Sequence, residues 1–344
     1  MNTDPLLAVE NLKTHIHTDG GILHAVDGVD FEINRGETVC LVGESGSGKS
    51  VTCESLTRLV PQPPAEIVDG SVTFDGISLH GVDERTLRSI RGNRIAHLFQ
   101  NPQQALDPVY SIGDQLVEAI RIHEDIPRKE AEARSVELLR QVGIPRAQSR
   151  LDEYPHELSG GMAQRVALAI SLAAEPELLI ADEPTTAVDV TVQARLIELL
   201  RELTGGGMSL LLITHDLRVV ASLADRVLVM FGGTIVERGP IEEVFAQPAH
   251  PYTQMLFESY DSLTRRSDRT ARGDIPTDGC RFRGECPHAV DACATTEQPP
   301  FYTVNADPTH TASCVYYDGD HNQTPLREAA TVASPQTHRG ETDD

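Results

Sequence analysis

The chain has 344 residues, 52 of them acidic against 29 basic, for a formal net charge of −23. A surface this acidic repels polyanions, which argues against nucleic acid as a partner. Lysine occurs only at Lys13, Lys49 and Lys129, and an acidic, lysine-poor balance is typical of proteins exposed to molar salt, so a halophilic source is the expectation.

In chain order, apolar runs at Leu6–Val9, Val39–Val42, Val72–Phe74, Ile95–Phe99, Leu178–Ala181, Leu210–Ile213, Val227–Met230 and Thr234–Val236 read as strands. Amphipathic stretches at Ser50–Leu59, Lys129–Val142, Ala163–Leu172 and Thr191–Leu203 read as helices. Near-continuous apolar strands alternating with helices predict an α/β fold whose sheet is covered on both faces. Between about 102 and 174 helices displace strands, which predicts a helical subdomain inside a domain spanning 1–260. From Arg265 the composition turns to Asp, Arg, Thr, Pro and Cys, so 261–317 reads as a separate small segment. The polar stretch 318–344 reads as a mobile tail. No run approaches the 18 or so apolar residues of a membrane span, and the first residues lack the charged and apolar regions of a signal peptide. The expected compartment is the cytosol, with any membrane contact made through a partner.

The most informative stretch is Gly43-Glu44-Ser45-Gly46-Ser47-Gly48-Lys49-Ser50, between the strand Thr38–Val42 and a helix beginning near Val51. Glycines let the turn aim several backbone N–H groups at one point, and the positive end of the helix lies behind them. Together they make a cradle for nucleotide phosphates. Lys49 would reach the β- and γ-phosphates and Ser50 would offer its hydroxyl to Mg²⁺. The run 178–183 ends in Asp182 and Glu183. Asp182 is placed to hold Mg²⁺ beside Ser50, and Glu183 to polarise the water that attacks the γ-phosphate. Ser159, Gly160 and Gly161 open the helix that carries Gln164 and form a second candidate anion site.

These motifs, with Gln100 after the strand Ile95–Phe99, the turn Ala187-Val188-Asp189 and His215 in Ile213-Thr214-His215-Asp216, occur in the order found in ATP-binding cassettes. The chain resembles the nucleotide-binding subunit of an ABC transporter over residues 6–260. The resemblance implies a P-loop NTPase fold, a RecA-like mixed sheet core with antiparallel β and helical subdomains. It implies ATP and Mg²⁺ as cofactors, Mg²⁺ held by Ser50, Gln100 and Asp182, and Glu183 and His215 as the hydrolytic pair. Ser159, Gly160, Gly161 and Gln164 would serve the ATP of a second cassette subunit, in a heterodimer or a homodimer, and Asp189 would be the site residue of the turn Ala187-Val188-Asp189. For the aromatic that normally stacks on adenine, this sequence offers His15, Ile16 or His17, of which His17 is the candidate.

Asn101-Pro102-Gln103-Gln104-Ala105-Leu106-Asp107-Pro108 and Gln247-Pro248-Ala249-His250-Pro251-Tyr252-Thr253 resemble the oligopeptide, dipeptide and nickel importers, although that family usually has Asn-Pro where Asp107-Pro108 stands. The resemblance implies two membrane permease subunits, an external substrate-binding protein acting indirectly, and a place at the cytoplasmic face of the membrane. Peptide is the expected cargo, with nickel, another metal chelate or a sugar as alternatives. A soluble repair or translation ATPase would carry long insertions or two cassettes, and an exporter half a fused membrane domain; the sequence has neither.

Cys40 and Cys53 sit in the strand and helix flanking the phosphate loop and read as buried bystanders. Cys280, Cys286, Cys293 and Cys314 cluster late. Grouped thiols in a cytosolic chain point to a metal, and four thiolates suit tetrahedral Zn²⁺ or a [4Fe–4S] cluster. The Cys-Arg-Phe-x3-Cys-Pro-His pattern resembles the C-terminal segment of peptide-importer ATPases, where the resemblance implies the iron–sulfur cluster.

Overall fold

The computed structural model describes residues 4–100, 105–185, 190–261, 275–305, 307–323 and 326. In chain order the strands are β1 (Leu7–Thr18), β2 (Gly21–Ile33), β3 (Thr38–Val42), β4 (Ala65–Phe74), β5 (Ile77–Ser78), β6 (Ile95–Leu98), β7 (Leu178–Asp182), β8 (Ser209–Ile213), β9 (Arg226–Phe231), β10 (Thr234–Pro240), β11 (Tyr302–Val304) and β12 (Asp307–Ala312). Two sheets result. An antiparallel sheet runs β2-β1-β4-β5, and an eight-stranded sheet runs β11-β12-β10-β9-β3-β8-β7-β6.

The core of the larger sheet is parallel from β9 to β6. Every residue of β3 and β8 is buried, as expected of strands covered on both faces. Alternation divides their side chains. Val39 and Leu41 pack beneath the antiparallel sheet with Leu7, Val26 and Phe31. Cys40 and Val42 face the other way, into the core shared with the helices. Strand β2 has no continuous apolar run; it buries Val29, Phe31 and Ile33 while Asp30 and Glu32 face solvent.

The helices are α1 (Lys49–Leu56), α2 (Glu84–Ile90), α3 (Ile112–Arg121), α4 (Arg128–Gln141), α5 (Ala147–Arg150), α6 (Gly160–Ser171), α7 (Val190–Gly205), α8 (Leu217–Leu223), α9 (Ile241–Ala246) and α10 (Pro251–Asp261). Four of them, α3 to α6, fill the chain between β6 and β7, and no strand interrupts them among the described residues. Among the described residues no helix is long and apolar enough to cross a membrane.

The two sheets are stitched at one end by charge. Arg94 contacts Asp75 at 2.6 Å and Glu177 at 2.5 Å, and Arg35 bonds both of the same carboxylates. The guanidinium bonds, those of Arg94 first, hold the Asp75 and Glu177 carboxyls below their ordinary range.

The late segment is continuous with the core sheet. Strand β12 pairs with β10 through Glu237↔Ala312 and Arg238↔Thr311. Inside this joint the fully buried Glu237 accepts from the Ala249 N–H at 2.8 Å and the His250 N–H at 2.7 Å, with His310 Nε2 at 2.8 Å. Most of the tail expected after Tyr317 lies outside the described residues; the Leu326 carbonyl accepts from Gln254 Nε2 at 3.0 Å.

Candidate nucleotide site

The phosphate loop leaves β3 at Val42 and enters α1 at Lys49. Gly48 has φ +107°, and a Cβ there would run into the Ala25 carbonyl, so only glycine fits. The loop is braced from outside. The Gly233 N–H donates to the Ser47 carbonyl at 2.9 Å, and the Glu44 N–H donates to the Tyr252 hydroxyl oxygen at 2.9 Å. Lys49 is buried, its ammonium on the Gly43 and Glu44 carbonyls at 2.9 and 2.8 Å and near Ser47 Oγ at 3.3 Å. Gly46 and Ser45 are at the exposed crest of the loop or beside it, and Val51 is half-buried on α1.

Asp182 closes β7 and Ser50 hydrogen-bonds its carboxylate. Burial pushes this carboxyl above its ordinary range; the negative charge of Glu183 adds to the rise, while the Ser50 bond and Lys49 oppose it. Asp182 Oδ1 is buried without a hydrogen-bond partner, a cost that a cation would offset. A hydroxyl beside an orphaned carboxylate oxygen is a hard-donor set that fits Mg²⁺.

Glu183 takes φ +47°, rare for a side chain with a Cβ and a mark of functional sites. Its own N–H, donating to the Ile213 carbonyl at 2.8 Å, helps hold the turn. The side chain then stands between two others: Gln100 Nε2 donates to Oε2 at 3.2 Å, and His215 Nδ1 lies 3.2 Å from Oε1. Glu183 is 16% exposed and His215 64%. Asp216, next to His215, caps α8 by accepting from the Arg218 N–H and also takes Gln193 Nε2 at 3.0 Å. The structure thus brings Lys49, Ser50, Gln100, Asp182, Glu183 and His215 to the ends of β3, β6, β7 and β8.

The remaining candidates lie apart. Ser159 caps α6, its Oγ accepting from the Met162 N–H at 3.3 Å. Ser159 and Gly160 are exposed, and a Cβ on Gly160 would meet open space. A Cβ on Gly161 would press on Val192 at 3.2 Å. Gln164 is buried, with its Nε2 unpartnered. His17 is exposed at the tip of the β1–β2 hairpin, with Nε2 3.1 Å from Glu66 Oε2. Asp189 lies outside the described residues.

The late cysteines converge. Cys280, Cys293 and Cys314 are buried and Cys286 is half-buried. The Cys280 N–H donates to the Cys293 carbonyl at 2.9 Å. The backbone N–H of the residue two places on faces each of three thiols: Phe282 on Cys280, His288 on Cys286, Tyr316 on Cys314. Burial, and then the neighbouring thiols, push Cys286 up to about 11 and Cys314 to about 12.

Comparison with known proteins decides the family. The model of the ABC transporter family matches residues 26–186, and that of the oligopeptide/dipeptide transporter C-terminal region matches 236–293. The oligopeptide transport ATP-binding protein AppD of Bacillus subtilis is 46% identical over 321 residues, covering 91% of this chain and 97% of its own length. The chain belongs to the ABC transporter ATP-binding proteins. A putative peptide import ATP-binding protein of Brucella abortus is 45% identical over 334 residues, covering 92% of this chain and 98% of its own length. Among solved structures, an ATP-binding cassette dimer in a post-hydrolysis state with ADP and Pi superposes with a TM-score of 0.63 at 26% identity. It covers 68% of this chain and 98% of its own. The protein is accordingly an ABC-type ATPase with the cassette fold. Tyr252 is the functional contact that sequence reasoning missed: 208 residues separate it from Glu44, and no local spacing signals the pair.

Proposed function

We propose that this chain is the ATP-hydrolysing subunit that powers peptide import through a membrane permease, working from the cytoplasmic face as one of two paired cassettes. One observation carries the hydrolytic part. Glu183, in a strained turn, is held between Gln100 and His215 beside an orphaned oxygen of Asp182. Glu183 is placed to orient and polarise the attacking water, and His215 keeps its carboxylate in register. Ser50, Asp182 and Gln100 would hold Mg²⁺, which supplies neutralising charge at the phosphates when bound. The exposed Ser159 and Gly160 at the start of α6 support a nucleotide shared with a second cassette, with Gln164 buried on the same helix; Asp189 would serve in the turn 187–189, and His17 would stack on the adenine.

The C-terminal segment supports the peptide assignment, since it matches the oligopeptide/dipeptide transporter region. For its thiols, the amide-facing geometry suits metal-bound thiolates. The resemblance of the Cys-Arg-Phe-x3-Cys-Pro-His pattern to peptide-importer ATPases favours a [4Fe–4S] cluster held by Cys280, Cys286, Cys293 and Cys314 as a structural staple, with Zn²⁺ as the alternative. The acidic surface supports a protein that works in concentrated salt.

The test is the whole complex in lipid vesicles, with its permeases, second cassette and binding protein, assayed for ATP hydrolysis in molar KCl. Peptides are expected to raise the rate several-fold. A rate raised by nickel chelates or sugars and not by peptides would overturn the substrate.

A further inference from the structure

A second cluster of chemically active side chains lies away from the hydrolytic carboxylates, near the turn end of the β1–β2 hairpin. His15 and His24 are cross-strand partners, with ring centroids 4.2 Å apart. Asp27 follows on β2, its Oδ2 3.4 Å from His24 Nδ1. One ligand atom from each of the three lies within 4.8 Å of the other two. Among the described residues this is the only group of three His, Cys, Asp or Glu side chains that does so.

Two features distinguish the cluster from a chance meeting of polar residues. His15 Nε2 and His24 Nδ1 are both buried and neither makes a hydrogen bond. Buried nitrogens left unsatisfied cost about 1–3 kcal/mol each, and here two of them gather around one carboxylate. The 3.4 Å separation also has a meaning. Two donors bound about 2.0–2.1 Å from one tetrahedral ion stand about 3.4 Å apart.

We propose that His15, His24 and Asp27 form a site for a divalent transition metal of the kind that prefers imidazole, such as zinc, nickel, copper or cobalt. Arg281 holds the third ligand in place: one guanidinium nitrogen bonds Asp27 Oδ2, the oxygen that faces His24, and the other the Pro276 carbonyl. Metal-ligating carboxylates are commonly fixed by such an outer bond. The guanidinium charge weakens cation binding, so the site is expected to exchange its ion rather than hold it permanently. The position gives binding a consequence. The Asp27 N–H donates to the Gly233 carbonyl at 2.8 Å, and the Gly233 N–H donates to the Ser47 carbonyl in the phosphate loop. An ion here would tie the hairpin to the support of that loop.

Cobalt alone is the probe, titrated into the purified full chain and into His24→Gln and His15→Gln variants at pH 7.5. The wild type is expected to show d–d absorption from one equivalent of cobalt that is separate from any sulfur-to-cobalt charge-transfer band of the late cysteines. Each variant should lose at least tenfold in affinity for that equivalent, and any thiolate band from the late cysteines should persist. Should one variant fail to fold, the other still decides, as does copper bound to the wild type, whose electron-spin spectrum should show coupling to two imidazole nitrogens. Identical cobalt titrations in wild type and variant, or copper signals without imidazole coupling, would overturn the site.

Discussion

The hydroxyl oxygen of Tyr252 accepts the backbone N–H of Glu44 at 2.9 Å, joining α10 to the second residue of the phosphate loop. Tyr252 is fully buried, its ring 4.7 Å from Phe231 and 5.5 Å from Phe282. Phe282 lies two residues beyond Cys280, so one cluster of tilted and edge-on aromatic rings runs from the cysteine segment to the nucleotide loop. Tyr252→Phe keeps the cluster and removes only the hydroxyl. A hydrogen bond contributes about 0.5–1.5 kcal/mol net, so ATP binding should weaken about 2- to 12-fold. Calorimetry with a non-hydrolysable analogue checks this.

Glu237 and His310 lock β10 to β12 inside the molecule, at 0% and 1% exposure. Truncating one side of a buried pair strands the other partner, here together with the Ala249 and His250 amides. Glu237→Ala should cost about 3–5 kcal/mol, read as a lower midpoint in denaturant unfolding of the full chain.

The Arg35–Asp75–Arg94–Glu177 network sets a pH dependence. Both carboxyls titrate below their ordinary range when folded, so their stabilisation is complete above about pH 5 and fades as the pH falls through the folded-state values. Arg94→Gln should lower the thermal midpoint at pH 7 by about 2–4 °C, corresponding to about 1 kcal/mol for partly exposed pairs. The gap between wild type and variant should shrink toward pH 3, as scanning calorimetry would show.

The four late thiols give a spectroscopic prediction. Protein purified without oxygen should be brown, with broad absorption near about 400 nm from thiolate-bound iron. Cys314→Ser should bleach it, whereas Cys53→Ser should not. A colourless wild type carrying one zinc per chain would contradict the cluster.

Much of this architecture was legible in the residues because burial writes itself as apolar runs. β3 and β8 are buried along their length and β7 up to Asp182, and all three stand out in the sequence. β2 did not stand out, because a strand with one solvated face alternates Asp30 and Glu32 with Phe31 and Ile33. Strands β11 and β12 were missed for another reason. They are short, and β12 owes its place to pairing with β10, about 70 residues earlier in the chain, rather than to its own composition. In the site, glycines, Lys49 and the paired carboxylates announce themselves by spacing, since each lies within a few residues of a strand end. The Tyr252–Glu44 bond and the His15–His24–Asp27 cluster depend on tertiary contact or strand register, which no local pattern encodes.

The central claim is that Glu183, fixed by Gln100 and His215, readies the water that splits ATP. Single-turnover hydrolysis in the assembled complex tests it most directly, comparing wild type with Glu183→Gln at saturating ATP and Mg²⁺. The account predicts a fall of at least about 100-fold, within the range that a positioned general base contributes, with ATP binding retained. Cleavage at the wild-type rate by the glutamine variant would contradict it.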